Sequence, residues 1–224
     1  MSTFAAIWQG LDWSYITDRL LNVIPALICI TLHELAHGAT ALALGDTTAR
    51  DAGRLTLNPL KHIDIWGLLL MVVCRFGWAK PVPVNMYRFK NPKRGMAVTA
   101  VAGPLANVLI ACVAMALYGL LYLPLYDSAV GSYILTGISI TAYMSCGLAV
   151  FNILPVPPLD GSKILFSLLN QKQYNFLMRY EKYGFLLLIV LVWTDIISGP
   201  LSTVTYWLFD RLFGIAEFFF GLVA

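Results

Sequence analysis

The sequence predicts an all-α polytopic membrane protein of about five to six transmembrane helices, with a short membrane-associated β-strand or hairpin after the first core helix. Three observations predict it. Of 224 residues, 59% are apolar and only 12% are charged, about half the charge of a water-soluble domain. The charges gather between long uncharged runs, and about 20 apolar helical residues cross ~30 Å of hydrocarbon. One short stretch instead alternates with period two between Gly and Pro. The same composition excludes disorder and coiled coil. A net charge of +3 argues against a nucleic-acid partner, which would need concentrated basic surface.

At the N-terminus no Lys or Arg precedes Arg19 and no small-residue cleavage pattern closes a short apolar core, so the first run is expected to be retained. That run, Leu20 to Leu44, holds one charged residue, Glu34. Next comes Gly53-Arg54-Leu55-Thr56-Leu57-Asn58-Pro59, whose alternation reads as a short strand. At membrane depth such a strand needs shelter from lipid for its backbone groups. Ile65 to Cys74 is apolar but too short to cross, so it reads as interfacial or re-entrant.

From Arg75 to Arg94 stand six basic residues (Arg75, Lys80, Arg88, Lys90, Lys93, Arg94) and no acid. The positive-inside rule makes this loop cytoplasmic. Gly95–Leu123 and Ser128–Leu154 carry no charge and form an outward and a returning helix, joined by a loop whose one charge is Asp127. Tyr183–Gly199 is interrupted by Asp195 alone, whereas Leu201–Ala224 contains Asp210, Arg211 and Glu217 and either spans or lies at the interface. One domain, 1–224, accommodates all of this, with a core over about 20–169 and C-terminal helices over about 183–224. The four cysteines form no CxxC pair and read as packing thiols.

His33-Glu34-Leu35-Ala36-His37 is an HExxH motif inside an apolar helix. Four residues are about 400° of rotation and ~6 Å of rise, so both imidazoles leave one face and can share a metal ion, with a carboxylate beside them. An acid near the bilayer centre costs at least ~2.5–3.5 kcal/mol, which makes a functional use the default reading. A third protein ligand must come from elsewhere, leaving one position for water. The position ten residues after His33, where an extended motif would carry a third His, is Ala43.

The remaining histidine, His62, reads with Asp64 as an interfacial hydrogen-bonding group, and Cys29, one turn before His33, reads as packing. Asp127 and Asp195 fall on the wrong side of the membrane. Asp160 falls on the right side, after the rigid stretch Leu154-Pro155-Val156-Pro157-Pro158-Leu159, and is either the ligand or the N-cap of a helix over Ser162–Asn170. Gly103 and Asn107, one turn apart beside Pro104, read first as a small-residue packing face.

Together, His33–His37, Gly103-Pro104-Leu105-Ala106-Asn107 and Asn152-Ile153-Leu154-Pro155-Val156-Pro157-Pro158-Leu159-Asp160-Gly161 resemble the site-2 protease family of intramembrane zinc metalloproteases, in a compact form without PDZ or CBS domains. The resemblance covers about Leu20 to Leu169. It implies that His33, His37 and Asp160 bind one Zn2+, that Glu34 is the catalytic carboxylate, and that Asn152 lies near the scissile peptide. It also implies a membrane-spanning protein substrate, cut near the cytoplasmic side of a membrane, with a bacterial inner membrane the expected location. The stretch Arg54–Leu57 is expected to take up an unwound substrate as an added strand. From a different class come a membrane metal transporter lined by His33, Glu34, His37 and Asp160, and an inactive scaffold that binds substrate helices.

Overall fold

A computed structural model describes residues 13–64, 67 and 80–224. The expectations for the first twelve residues, for Ile65–Cys74 apart from Gly67, and for Arg75 lie outside the described residues. In chain order the helices are α1 (Trp13–Ala43), α2 (Thr48–Asp51), α3 (Pro92–Leu125), α4 (Ala129–Asn152), α5 (Asp160–Leu168), α6 (Gln171–Trp193) and α7 (Ser198–Gly221). Two 3-10 turns, Pro59–Lys61 and Met86–Arg88, punctuate the α2–α3 connection.

Helix boundaries follow local chemistry. The Asn91 side chain accepts the Arg94 N–H, and Pro92 opens α3 where its missing N–H costs nothing. Ser128 caps α4 by accepting the Gly131 N–H, and Asn170 with Gln173 forms a capping box on α6. Leu21–Ala43 of α1, all of α3 and all of α4 are long and apolar enough to cross a membrane. The chain is an integral membrane protein with large apolar side chains exposed along these helices, as a lipid solvent allows.

Where the sequence leads one to expect five to six spans, the described residues hold three, or four if the bent C-terminal pair counts as one. The difference arises at Asp195, whose φ of 55° marks the break at which Tyr183–Trp193 and α7 turn by 83°. The first piece alone is too short to cross, and the second carries Asp210, Arg211 and Glu217.

The expected strand is also replaced. Among the described residues there is no strand, and 54–58 is irregular. Its polar groups close locally: Arg54 N–H bonds to Ala49 O, His62 Nε2 lies 2.9 Å from Thr56 O, and the Asn58 side chain accepts the Leu60 N–H. Side-chain and turn bonds of this kind compete with a ladder and here displace it.

α3 is the central element and packs on α1, α4, α5 and α7. Its C-terminal half builds an apolar core from Ala111, Ala114 and Met115 with Ala142 and Cys146 of α4 and Ala216 of α7. Its other half faces α1 and α5.

Candidate metal centre

In that second region, α1 presents His33 and His37 one turn apart, and α5 brings Asp160 against them. His33 Nε2 and His37 Nε2 are 3.0 Å apart, and Asp160 Oδ2 lies 3.2 Å from the first and 2.9 Å from the second. All three residues are buried, at 6%, 7% and 6% exposure. They come from positions 123 and 127 residues apart in the chain, so the fold has assembled what local sequence separates.

The route to Asp160 is short and stiff. α4 ends at Asn152, and 153–159 reverses the chain through its three prolines. Gly161 lets the start of α5 touch that reversal: a Cβ there would collide with the Ile153 and Leu154 carbonyls. The expected alternative, Asp160 as a cap, does not occur. Leu159 is the N-cap residue, without a side-chain bond, and Asp160 is already the first helical residue. The Lys163 ammonium, 3.1 Å from Oδ1, favours the ionised form of the Asp160 carboxyl.

α3 supports the imidazoles from behind. His37 Nδ1–H donates to the Thr99 carbonyl at 2.7 Å, and the Asn107 amide nitrogen lies 3.1 Å from His33 Nδ1. Between them Gly103 leaves the space the rings occupy, since a Cβ there would meet His37 Nε2 and His33 Cε1. Gly103 and Asn107 thus belong to the site rather than to a plain packing face. Thr99 was hidden because a backbone carbonyl has no residue-type signature.

Glu34 faces the same cavity. Its Oε2 accepts the Val82 N–H at 2.7 Å. Val82 sits in an irregular strap, 80–85, fastened at both ends: Arg54 Nη2 donates to Lys80 O at 2.5 Å, and Asp46 Oδ2 accepts the Asn85 N–H at 2.6 Å. The strap, α1, α3 and α5 enclose a cavity of about 330 Å³ lined by His33, Glu34, His37, Val84, Asn152 and Lys163 among others. Asn152 Nδ2 donates to Leu148 O one turn back, at 3.0 Å, which leaves its second N–H for the cavity.

The other candidates lie elsewhere. His62 is buried with Nε2 on Thr56 O, Asp64 accepts the Gly67 N–H, and Cys29 packs with Sγ 3.5 Å from Thr141 O of α4. Among the described residues the one group of three or more His, Cys, Asp or Glu side chains close enough to hold a metal ion is His33, His37 and Asp160.

This donor set fits a zinc ion. Ligand bonds of about 2.0–2.1 Å put the edges of a tetrahedron near ~3.3 Å, close to the separations of 2.9, 3.0 and 3.2 Å. Two imidazoles and one carboxylate are also the ligand set of a catalytic zinc with a position left for water.

Residues 125–193, from the end of α3 through α6, match the profile of Peptidase family M50. The chain is 37% identical over 191 residues to "Putative zinc metalloprotease YwhC" of Bacillus subtilis, covering 83% of each protein. It is 29% identical over 201 residues to "Putative zinc metalloprotease Rip2" of Mycolicibacterium smegmatis, covering 88% of this chain and 76% of that one. Rip2 of Mycobacterium tuberculosis (strain H37Rv) is 28% identical over 190 residues, covering 82% and 71%. No solved structure matches the chain.

Proposed function

We propose, from the premise that this chain belongs to peptidase family M50, that it is an intramembrane zinc metalloendopeptidase hydrolysing peptide bonds in or near transmembrane segments of membrane protein substrates. The single observation that carries the reading is the meeting of His33 Nε2, His37 Nε2 and Asp160 Oδ2 within 3.2 Å beside Glu34. His33, His37 and Asp160 hold one zinc ion per chain, and Glu34 is the catalytic carboxylate.

A zinc ion in this site supplies Lewis acidity and lowers the pKa of water toward ~7. Glu34 does the proton work. Its Oε2 is fixed by the Val82 N–H, so Oε1 takes the proton of the attacking water and returns it to the leaving amine. Asn152, from the α4 side of the cavity, offers its free amide N–H to the substrate backbone or to the developing oxyanion. Lys163 holds Asp160 Oδ1, which turns Oδ2 toward the imidazoles.

The substrate segment must unwind to expose its carbonyls, and the non-helical residues lining the cavity include Pro81, Val82 and Val84 and none of 54–57. That strap is in position to run beside it. Lys80, Arg88, Lys90, Lys93 and Arg94 follow at the same end of α1, which supports an active site toward the cytoplasmic face of a bacterial inner membrane.

Zinc content and cleavage of single-span membrane proteins, measured on wild type and Glu34→Gln, test the reading. Glu34→Gln is expected to keep its zinc and lose cleavage by about 10²–10⁴-fold. Cleavage at the wild-type rate would remove Glu34 from its role, and zinc flux into vesicles without cleavage would favour a carrier instead.

A further inference from the structure

We propose that Asn107 is a positioning residue that sets the tautomer of His33, its side-chain oxygen accepting the Nδ1–H and so leaving the Nε2 lone pair for the metal. The inference rests on the zinc reading above and concerns a residue that reading does not use. Asn107 is 0% exposed, in the middle of α3. Its amide nitrogen faces His33 Nδ1 at 3.1 Å, while its amide oxygen is buried with no hydrogen-bond partner among the described residues.

An amide nitrogen in that place can only donate, which requires a bare Nδ1 and puts the proton of a neutral imidazole on Nε2. A protonated Nε2 cannot be a ligand, yet Nε2 is the atom aimed at Asp160 and His37. The oxygen and nitrogen of an amide have nearly the same shape, so a half-turn of the side chain exchanges them without moving another atom. The exchanged amide gives the oxygen the His33 Nδ1–H as its donor, puts the NH2 group in the oxygen's former place, and gives His33 the tautomer a ligand needs.

His37 supplies the precedent within the same site. Its Nδ1–H already donates to an acceptor on α3, the Thr99 carbonyl, at 2.7 Å. Thr99, Gly103 and Asn107 follow one another at four-residue steps along one face of α3, so the helix offers an acceptor, a gap and an acceptor to the two rings, which meet edge-to-face at 88°. Ser145 Oγ donates to the Asn107 carbonyl at 2.9 Å and pins the α3 backbone at this level, which leaves rotation of the amide as the free variable. Bonds that hold the second ring nitrogen of a ligating histidine fix its tautomer and orientation, and losing one typically costs 10–100-fold in metal affinity.

The chain has three histidines, so ¹⁵N spectra of histidine-labelled, metal-free protein resolve each ring. His33 is expected to carry its proton on Nδ1; a proton on Nε2 overturns the proposal without any substitution. Zinc competition against a chelator gives the second readout. Asn107→Leu keeps the volume and loses the acceptor, and is expected to bind zinc 10–100-fold more weakly, whereas Asn107→Asp keeps the acceptor and is expected to stay within a few-fold of wild type. Leu binding as tightly as wild type, or Asp binding more weakly than Leu, overturns the inference. Wild-type protein that takes up no zinc defeats the zinc reading itself, which separates the two failures.

Discussion

The two halves of α3 are built from the same residue type for opposite ends. In the C-terminal half, Gly119 brings α7 so close that a Cβ would strike the Ala216 carbonyl, and the neighbours are Ala111, Ala114 and Met115. In the half nearer α5, Gly103 makes the same kind of opening, but imidazoles fill it instead of a helix backbone. A small residue in a membrane helix therefore signals close approach, and only the partner tells whether the approach serves packing or chemistry. The difference is written on α1 and α5, in His33, His37 and Asp160, rather than on α3.

The most drastic way to test that division is to remove a metal donor. Asp160→Ala should abolish zinc binding and cleavage together, because two imidazoles alone leave the site incomplete. The apolar core around Met115 shares no side chain with the site, so α3–α4–α7 packing should persist, read as unchanged helical circular dichroism and retained membrane insertion. Collapse of the helix bundle in Asp160→Ala would mean that the two halves are one cooperative unit.

A subtler test exchanges the two glycines. Gly103→Ala should weaken zinc binding by about 10–100-fold, since the imidazoles must shift to admit the Cβ. Gly119→Ala should leave zinc affinity alone and instead lower the melting temperature of the detergent-solubilised protein, because the added methyl meets the backbone of α7. Equal effects of both substitutions on zinc would erase the contrast.

These residues also show how far the sequence could be read. HExxH at helical spacing is a local pattern, and the uncharged runs are a solvent requirement, so His33, Glu34, His37 and three spans were legible directly. Asp160 was legible only as one of two options, because an acid at the start of a helix looks the same whether it caps or ligates; its place as first helical residue, after Leu159 as N-cap, removes the cap, and the Gly161 contact with 153–154 sets where it sits. Thr99 contributes a carbonyl, which every residue has. Gly103 and Asn107 looked like packing because a glycine's partner cannot be seen from its own helix. The alternation at 54–57 was real but too short to outcompete turn bonds made by Arg54, Asn58 and His62. The strap at 80–85 showed no period, since Pro81 and Pro83 cannot donate, yet their absence of N–H groups leaves Val82 as the amide that reaches Glu34.

The smallest expected effect concerns the strap, which borders the site without belonging to either half of α3. Asp46 is fully buried just beyond α1, with Oδ1 accepting the Thr48 N–H and hydroxyl and Oδ2 accepting the Asn85 N–H. Burial pushes its carboxyl up, and these bonds together with the nearby Arg88 outweigh burial, so it titrates below the ordinary carboxylate range. A group depressed in the folded state contributes stability that is present above its unfolded pKa, about 3.9, and is lost as pH falls through the lower folded value. The strap should thus stay fastened from neutral pH down to about 4 and loosen only below that. Asp46→Asn imposes the same loss at pH 7, because an amide must turn an N–H toward one of the two backbone donors, at a cost of about 1–3 kcal/mol. Hydrogen exchange should register this as faster exchange at Val82, Val84 and Asn85, with zinc still bound and cleavage slowed less than in Glu34→Gln. Unchanged protection of the strap amides in Asp46→Asn would show that Arg54 and Glu34 hold the segment unaided.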